Sequence, residues 1–151
     1  MMKISAQLLL LMPLTLGIGI AMTFQTAINS QLREYLNSPL QAALLSFLIG
    51  TILLAILVFF QPVEKPGFAT FVQLPWYLWL GGFLGVYAIS LSIYAAPKLG
   101  FLTLSGLIIF GQLLTSMVLD HFGLLGTEKA SINWQRLLGG VVIFIGVLLT
   151  L

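Results

Sequence analysis

Polar side chains set inside long apolar runs are the residues of this sequence whose types and spacing could do chemistry. Gln25 and Asn29 stand four residues apart near the end of the first run, sharing a helical face with Ile18 and Met22. In a later run Ser105, Gln112, Ser116 and Asp120 fall on one stripe. Between them Trp76, Phe83, Tyr87 and Tyr94 recur at helical spacing, with Trp79 and Ser90 close by. At membrane depth every such group must find a partner, because no water is there to satisfy it. Two amide stripes and an aromatic stripe could line one cavity. The amides would donate and accept hydrogen bonds, and the aromatics would offer stacking or cation–π surface. The bland alternative is glue between helices, with each amide bonded to a neighbouring backbone and Tyr94 in the interfacial aromatic belt.

Asp120 and His121 are the remaining candidates, as an ion or proton-coupling pair. Against that stands a structural reading, in which Asp120 is a helix-end carboxylate paired with Arg136 and His121 sits at the membrane interface. His121 is the only histidine and there is no cysteine, so neither a metal site nor a nucleophile–base set can be assembled. No buried acid–base pair is present either. The expectation is therefore not an enzyme, with no cofactor and no metal. No carboxylate lies at the centre of a run, which weakens simple proton antiport.

The elements that must position these residues follow from the apolar arithmetic. Of 151 residues 60% are apolar and 7% charged, and the mean hydropathy is +1.12. An ordinary soluble domain carries roughly a quarter charged residues. This composition excludes a soluble globular domain, a disordered chain and a nucleic-acid binder, and it requires lipid as solvent. The charged residues cut the chain into five apolar runs, at about 4–29, 39–60, 75–95, 98–119 and 133–151. A helix needs about 20 apolar residues to cross the hydrocarbon core. The first run follows Met1-Met2-Lys3 but continues to about Ile28, past the length of a signal-peptide core and without a small-x-small cleavage site; it reads as a retained helix. The last run is short if counted from Arg136, which is expected to snorkel beside Trp134.

Local signals agree with these limits. Ser38-Pro39 reads as an N-cap followed by proline at the first helical position, and Pro75 and Pro97 are expected to occupy the same place in the third and fourth spans. Gly123 and Gly126 follow the end of the fourth. Segment 61–74, with Pro62, Glu64, Lys65, Pro66 and Gly67, is the only substantial stretch outside the membrane. Pro13 lies inside the first span and should bend or weaken it. Small residues mark close helix approaches: Gly81 and Gly85 in the third span, and Ala42, Ser46 and Gly50 in the second. Lys3, Lys65, Lys129 and Arg136 fall on one side of the membrane, and Arg33 and Lys98 on the other. Four against two is a weak bias for placing the first side in the cytoplasm.

Several blocks carry a resemblance. The stretch from Gln25 to Glu34, then Ser38-Pro39-Leu40-Gln41-Ala42 and Ser46-Phe47 with Gly50-Thr51, is similar to the opening of the YdcZ-like family. Pro75-Trp76, Trp79, Gly81-Gly82 and Gly85 resemble its third helix, and Pro97, Leu99-Gly100, Gly111-Gln112, Ser116 and Asp120-His121-Phe122-Gly123 its fourth. Arg136 with Gly139-Gly140 resembles its fifth. The family is a five-helix branch of the drug/metabolite transporter superfamily. The resemblance implies an all-α bundle of five transmembrane helices, half of a ten-helix inverted-repeat transporter, in a bacterial inner membrane. It also implies antiparallel assembly, since members occur as single chains, as pairs of opposite orientation and as fused ten-helix chains.

The leading functional expectation is a secondary transporter moving a small polar or amphipathic solute as an antiparallel homodimer in lipid. Ten helices in inverted repeats can expose a midplane site alternately to both sides, whereas five can hardly enclose one. Gln25, Asn29, Gln112 and Ser116 would hydrogen-bond the solute, with Trp79 and Tyr87 packed on it. A dual-topology channel for ions or solutes and a non-transporting accessory subunit remain the alternatives. The sequence names neither the solute nor the coupling ion.

Overall fold

The structure is a computed structural model that describes the backbone of residues 6–150, and the side chains of Leu11 and of residues 13–150. Lys3, the first two residues of the expected first span and Leu151 lie outside the described residues. Among the described residues all regular structure is helical. Helix α1 is Ala6–Leu36 and α2 is Pro39–Phe60; a short α3, Phe68–Val72, and a single 3-10 turn, Trp76–Trp79, lead into α4, Leu80–Leu99. Helix α5 is Phe101–Phe122, and after a 3-10 turn at Leu124–Gly126 the chain enters α6, Trp134–Leu148. Two compact units divide between Ala96 and Pro97.

In the first unit α1 and α2 form an antiparallel hairpin. Asn37 adopts a left-handed conformation (φ 54°), which an asparagine tolerates better than most residues. The Ser38 hydroxyl then accepts from the Gln41 N–H at 3.3 Å, and Pro39 opens α2 with a preset φ and no N–H to waste. Below this turn Ala42, Ala43 and Ile93 are buried, with Leu32, Leu36 and Ile89 packed around them. Two alanines in succession let α1 and a residue of α4 approach α2 without a bulky side chain intervening. One turn further on, a β-carbon at Gly85 would stand 3.5 Å from the Phe47 ring, so this glycine faces α2, whereas Gly81 meets nothing within 4 Å. Helix α1 continues through Pro13.

In the second unit α5 and α6 pack antiparallel along their whole length. The Thr103 hydroxyl donates to the Thr150 carbonyl at 2.8 Å at one end, and the Phe110 and Phe144 rings meet at 5.0 Å midway. Gly106 faces Val147 and Gly140 faces Leu113. At the far end Asp120 meets Arg136 at 3.1 Å.

Two local expectations need correction. Pro97 does not open the fourth long helix; it lies in the last turn of α4, which runs on to Leu99. The break comes at Gly100, whose φ of 79° is open to glycine and strained for other residues, and α5 begins immediately after it. Pro75 precedes a 3-10 turn, so the α-helical part of that run starts only at Leu80. Segment 61–74 also holds α3, one more helix than the sequence reading gave it.

Helices Pro39–Phe60, Trp76–Leu99 (counting the 3-10 turn) and Phe101–Phe122 are long and apolar enough to cross a membrane. Helix α6 is apolar but only 15 residues long, about 22 Å at 1.5 Å per residue. Among the described residues six apolar side chains are buried, and dozens of Leu, Ile, Val and Phe side chains are exposed. Such a surface is at home against acyl chains or other helices, not water.

Candidate functional site

The polar residues of α1 gather at a groove between α1 and α2. Ala21, Phe24, Gln25, Ile28, Asn29 and Leu32 line it from α1, and Ser46 and Ile49 from α2, around a space of about 490 Å³. The 3.6-residue period puts Gln25 and Asn29 one above the other on the wall facing α2. Asn29 is buried, and its side-chain N–H donates to the Ser46 hydroxyl at 3.2 Å. That bond leaves the Asn29 carbonyl oxygen as an acceptor. Gln25 is exposed along the groove and makes no side-chain hydrogen bond with the described residues. The groove therefore presents one committed amide, one uncommitted amide and a hydroxyl, set in a wall of Phe, Ile and Leu. A small solute with both polar and apolar parts matches such a lining.

Two buried hydroxyls in the same unit, those of Ser30 and Ser90, have no hydrogen-bond partner. Ser30 neighbours Asn29 in the sequence but does not line the groove. Ser46, by contrast, belongs to the groove although its small size and spacing had pointed only to helix packing. It does both: Ala42 is buried in the hairpin, Ser46 bonds Asn29, and Gly50 meets nothing within 4 Å.

The other expected site residues lie elsewhere. Trp79 and Tyr87 are exposed and take no part in lining the groove, as are Trp76 and Phe83. Gln112 and Ser116 belong to α5 in the second unit, and both are exposed. Tyr94 lines a different recess at the end of α1.

Asp120 and His121 close the loop that joins α5 to α6. The Asp120 carboxylate accepts from Arg136, and the same guanidinium nitrogen donates to the Ala130 carbonyl at 3.3 Å. The Asp120 carbonyl accepts from the Ala130 N–H at 2.8 Å, and the His121 Nδ1 from the Ile132 N–H at 3.2 Å. The Thr127 hydroxyl bridges the Leu119 and Leu124 carbonyls, while Gly123, at φ 65°, turns the chain out of α5. Asn133 then caps α6 by accepting from the Arg136 N–H at 2.9 Å. Carbonyls that a helix end leaves unsatisfied are thus bonded, and the structural alternative for Asp120 has a complete geometry. Both partners of the ion pair are about a third exposed, 37% and 36%, so the pair contributes on the order of 0–1 kcal/mol.

Apolar helices of spanning length and a polar groove opened in an apolar wall define an integral membrane protein. A family model for DMT_YdcZ, described as "Putative inner membrane exporter, YdcZ", matches residues 10–149, and the chain belongs to that family. This membership supports a membrane transporter in general. Neither a curated protein nor a solved structure gives a significant match.

Proposed function

We propose that the chain moves a small polar or amphipathic solute across the bacterial inner membrane by alternating access, with five spanning helices and two copies assembled antiparallel. The observation that carries this reading is the α1–α2 groove, where the Gln25 amide is left uncommitted beside the Asn29–Ser46 bond. In hydrocarbon an unused amide is costly, which favours a site that a solute or water fills. In this reading Gln25 and the Asn29 carbonyl bind the polar part of the solute, while Phe24, Ile28 and Ile49 cover the apolar part. Gln112, Ser116, Trp79 and Tyr87 complete the enclosure from surfaces that a lone chain leaves exposed. Such completion is what an inverted second copy provides near the bilayer midplane. The weak charge bias between the two sides suits insertion in both orientations. Asp120 and His121 fasten the α5–α6 loop.

Counterflow in proteoliposomes tests transport: vesicles preloaded with an unlabelled candidate solute should take up its labelled form faster through the wild type than through Gln25→Leu. Equal rates for both proteins would place the solute elsewhere than at Gln25. Uptake without stimulation by the preloaded solute, or conductance that never saturates, would favour the channel reading over the transporter.

A further inference from the structure

A second recess opens where α1 ends, and its chemistry differs from that of the groove. Arg33 and Glu34 from the last turn of α1, Asn37 from the turn, Pro39 at the start of α2 and Tyr94 of α4 line a space of about 420 Å³. Along α1 the polar positions Gln25, Asn29 and Arg33 recur every four residues, so Arg33 lies one turn beyond the groove, and Asn37 stands in the turn just past the helix end. Helix α1 has 31 residues, about 46 Å, against roughly 30 Å of hydrocarbon. Helix α2 starts directly after the turn and has 22 residues, about 33 Å, so the turn and this recess lie at headgroup level.

Two observations bear on the occupant. Arg33 and Glu34 carry opposite charges on one recess, yet among the described residues neither has a salt-bridge partner. The recess also carries no net charge, which fits a ligand that is itself a zwitterion. A guanidinium is shaped to bind phosphate oxygens in pairs. A carboxylate binds an ammonium best where N–H groups can donate to it. Tyrosines at this depth present an apolar ring to acyl chains and a hydroxyl to the headgroup layer.

We infer that this recess is a binding site for the headgroup of a zwitterionic phospholipid with a primary ammonium, phosphatidylethanolamine in chemical terms. Arg33 takes the phosphate, Glu34 the ammonium, and the Asn37 amide a remaining phosphate or glycerol oxygen. A quaternary ammonium has no N–H to give Glu34, and an anionic glycerol headgroup has no cation for it. Both are therefore poorer ligands. This assignment stands apart from the solute groove and survives if the transport reading fails.

Native mass spectrometry of the detergent-solubilised protein, given equimolar phosphatidylethanolamine, phosphatidylcholine and phosphatidylglycerol, reads the preference directly. The wild type should retain phosphatidylethanolamine about tenfold over either competitor, the effect of one charge-assisted hydrogen bond. Arg33→Gln should lose the retained lipid. Glu34→Gln should keep a lipid but turn the preference toward phosphatidylglycerol, a reversal that reduced stability alone does not produce. Equal retention of the three lipids by the wild type, or an unchanged ratio in Glu34→Gln, would overturn the assignment. Displacement of the lipid by free phosphoethanolamine would assign the recess to a soluble zwitterion and overturn the lipid reading.

Discussion

The Asn29–Ser46 bond holds the groove in shape, and its removal has a size that can be worked out. Asn29 is 4% exposed and makes one interhelical hydrogen bond of 3.2 Å. In membrane bundles such bonds average about 0.6 kcal/mol and reach about 1.7 at most. Asn29→Ala removes the bond and leaves space behind it. The Ser46 hydroxyl can then turn back to a carbonyl of its own helix, one turn earlier, which limits the cost. The expected loss of unfolding free energy is about 1 kcal/mol. Ser46→Ala strands the Asn29 amide instead and should cost a similar amount. Combined, the two substitutions should cost less than their sum, with a coupling of about 0.6 kcal/mol. Reversible unfolding in mixed micelles, run on both single variants, the double variant and the wild type, measures it. Additivity to within about 0.3 kcal/mol would show that the contact does not join the helices in the folded protein and would remove the groove's support.

The remaining predictions address each unit and the assembly. Gly106→Ala puts a methyl 3.0 Å from Val147, whose β-branched side chain cannot swing aside; overpacking of about 1–3 kcal/mol, less roughly 1 of helix propensity, leaves a net loss near 1 in thermal or denaturant unfolding. Gly139→Ala, with nothing within 4 Å, should be neutral or stabilising in the same assay. Asp120→Asn should lower stability by no more than about 1 kcal/mol and leave counterflow intact; loss of counterflow without loss of stability would make Asp120 a coupling residue. Single cysteines introduced at Asn37 and at Glu64 should each be labelled by an impermeant maleimide from both sides of the membrane, because the chain has no cysteine of its own to interfere. Labelling of each from one side alone would refute insertion in both orientations.

How far the sequence carried depended on how many solutions the physics allows at each position. A hydrogen-bonded helix of about 20 apolar residues is nearly forced in lipid, so Pro39–Phe60 could be read directly from its flanking charges. The Ser38-Pro39 start and the Gly123 stop are local signals that tertiary contacts do not override, and both appear with their bonds. Pro97 misled because a proline near a helix end is tolerated on either side of the break, and the decisive residue was Gly100 with its positive φ. Helix α3 escaped notice because five residues carry too little periodicity to detect. Within the groove Gln25 and Asn29 were visible as polar residues one turn apart. Ser46 was visible only as a small residue, since spacing along one helix does not say which hydroxyl a neighbouring helix will meet. The exposed Gln112, Trp79 and Tyr87 show the same limit from the other side: sequence spacing groups residues on a helix face, and it cannot supply the surface they turn toward.

The central claim is that the α1–α2 groove binds the transported solute through Gln25. Its most direct test is a ligand-dependent thermal-shift screen of small polar and amphipathic solutes, run in parallel on the purified wild type and on Gln25→Leu. A solute at a hundred times its dissociation constant stabilises the folded protein by about 2.7 kcal/mol. Wild-type protein should show such a shift with at least one solute class, and Gln25→Leu, with an unliganded stability within about 0.5 kcal/mol of the wild type, should lose it. A shift of equal size in both proteins would place the solute elsewhere and contradict the account.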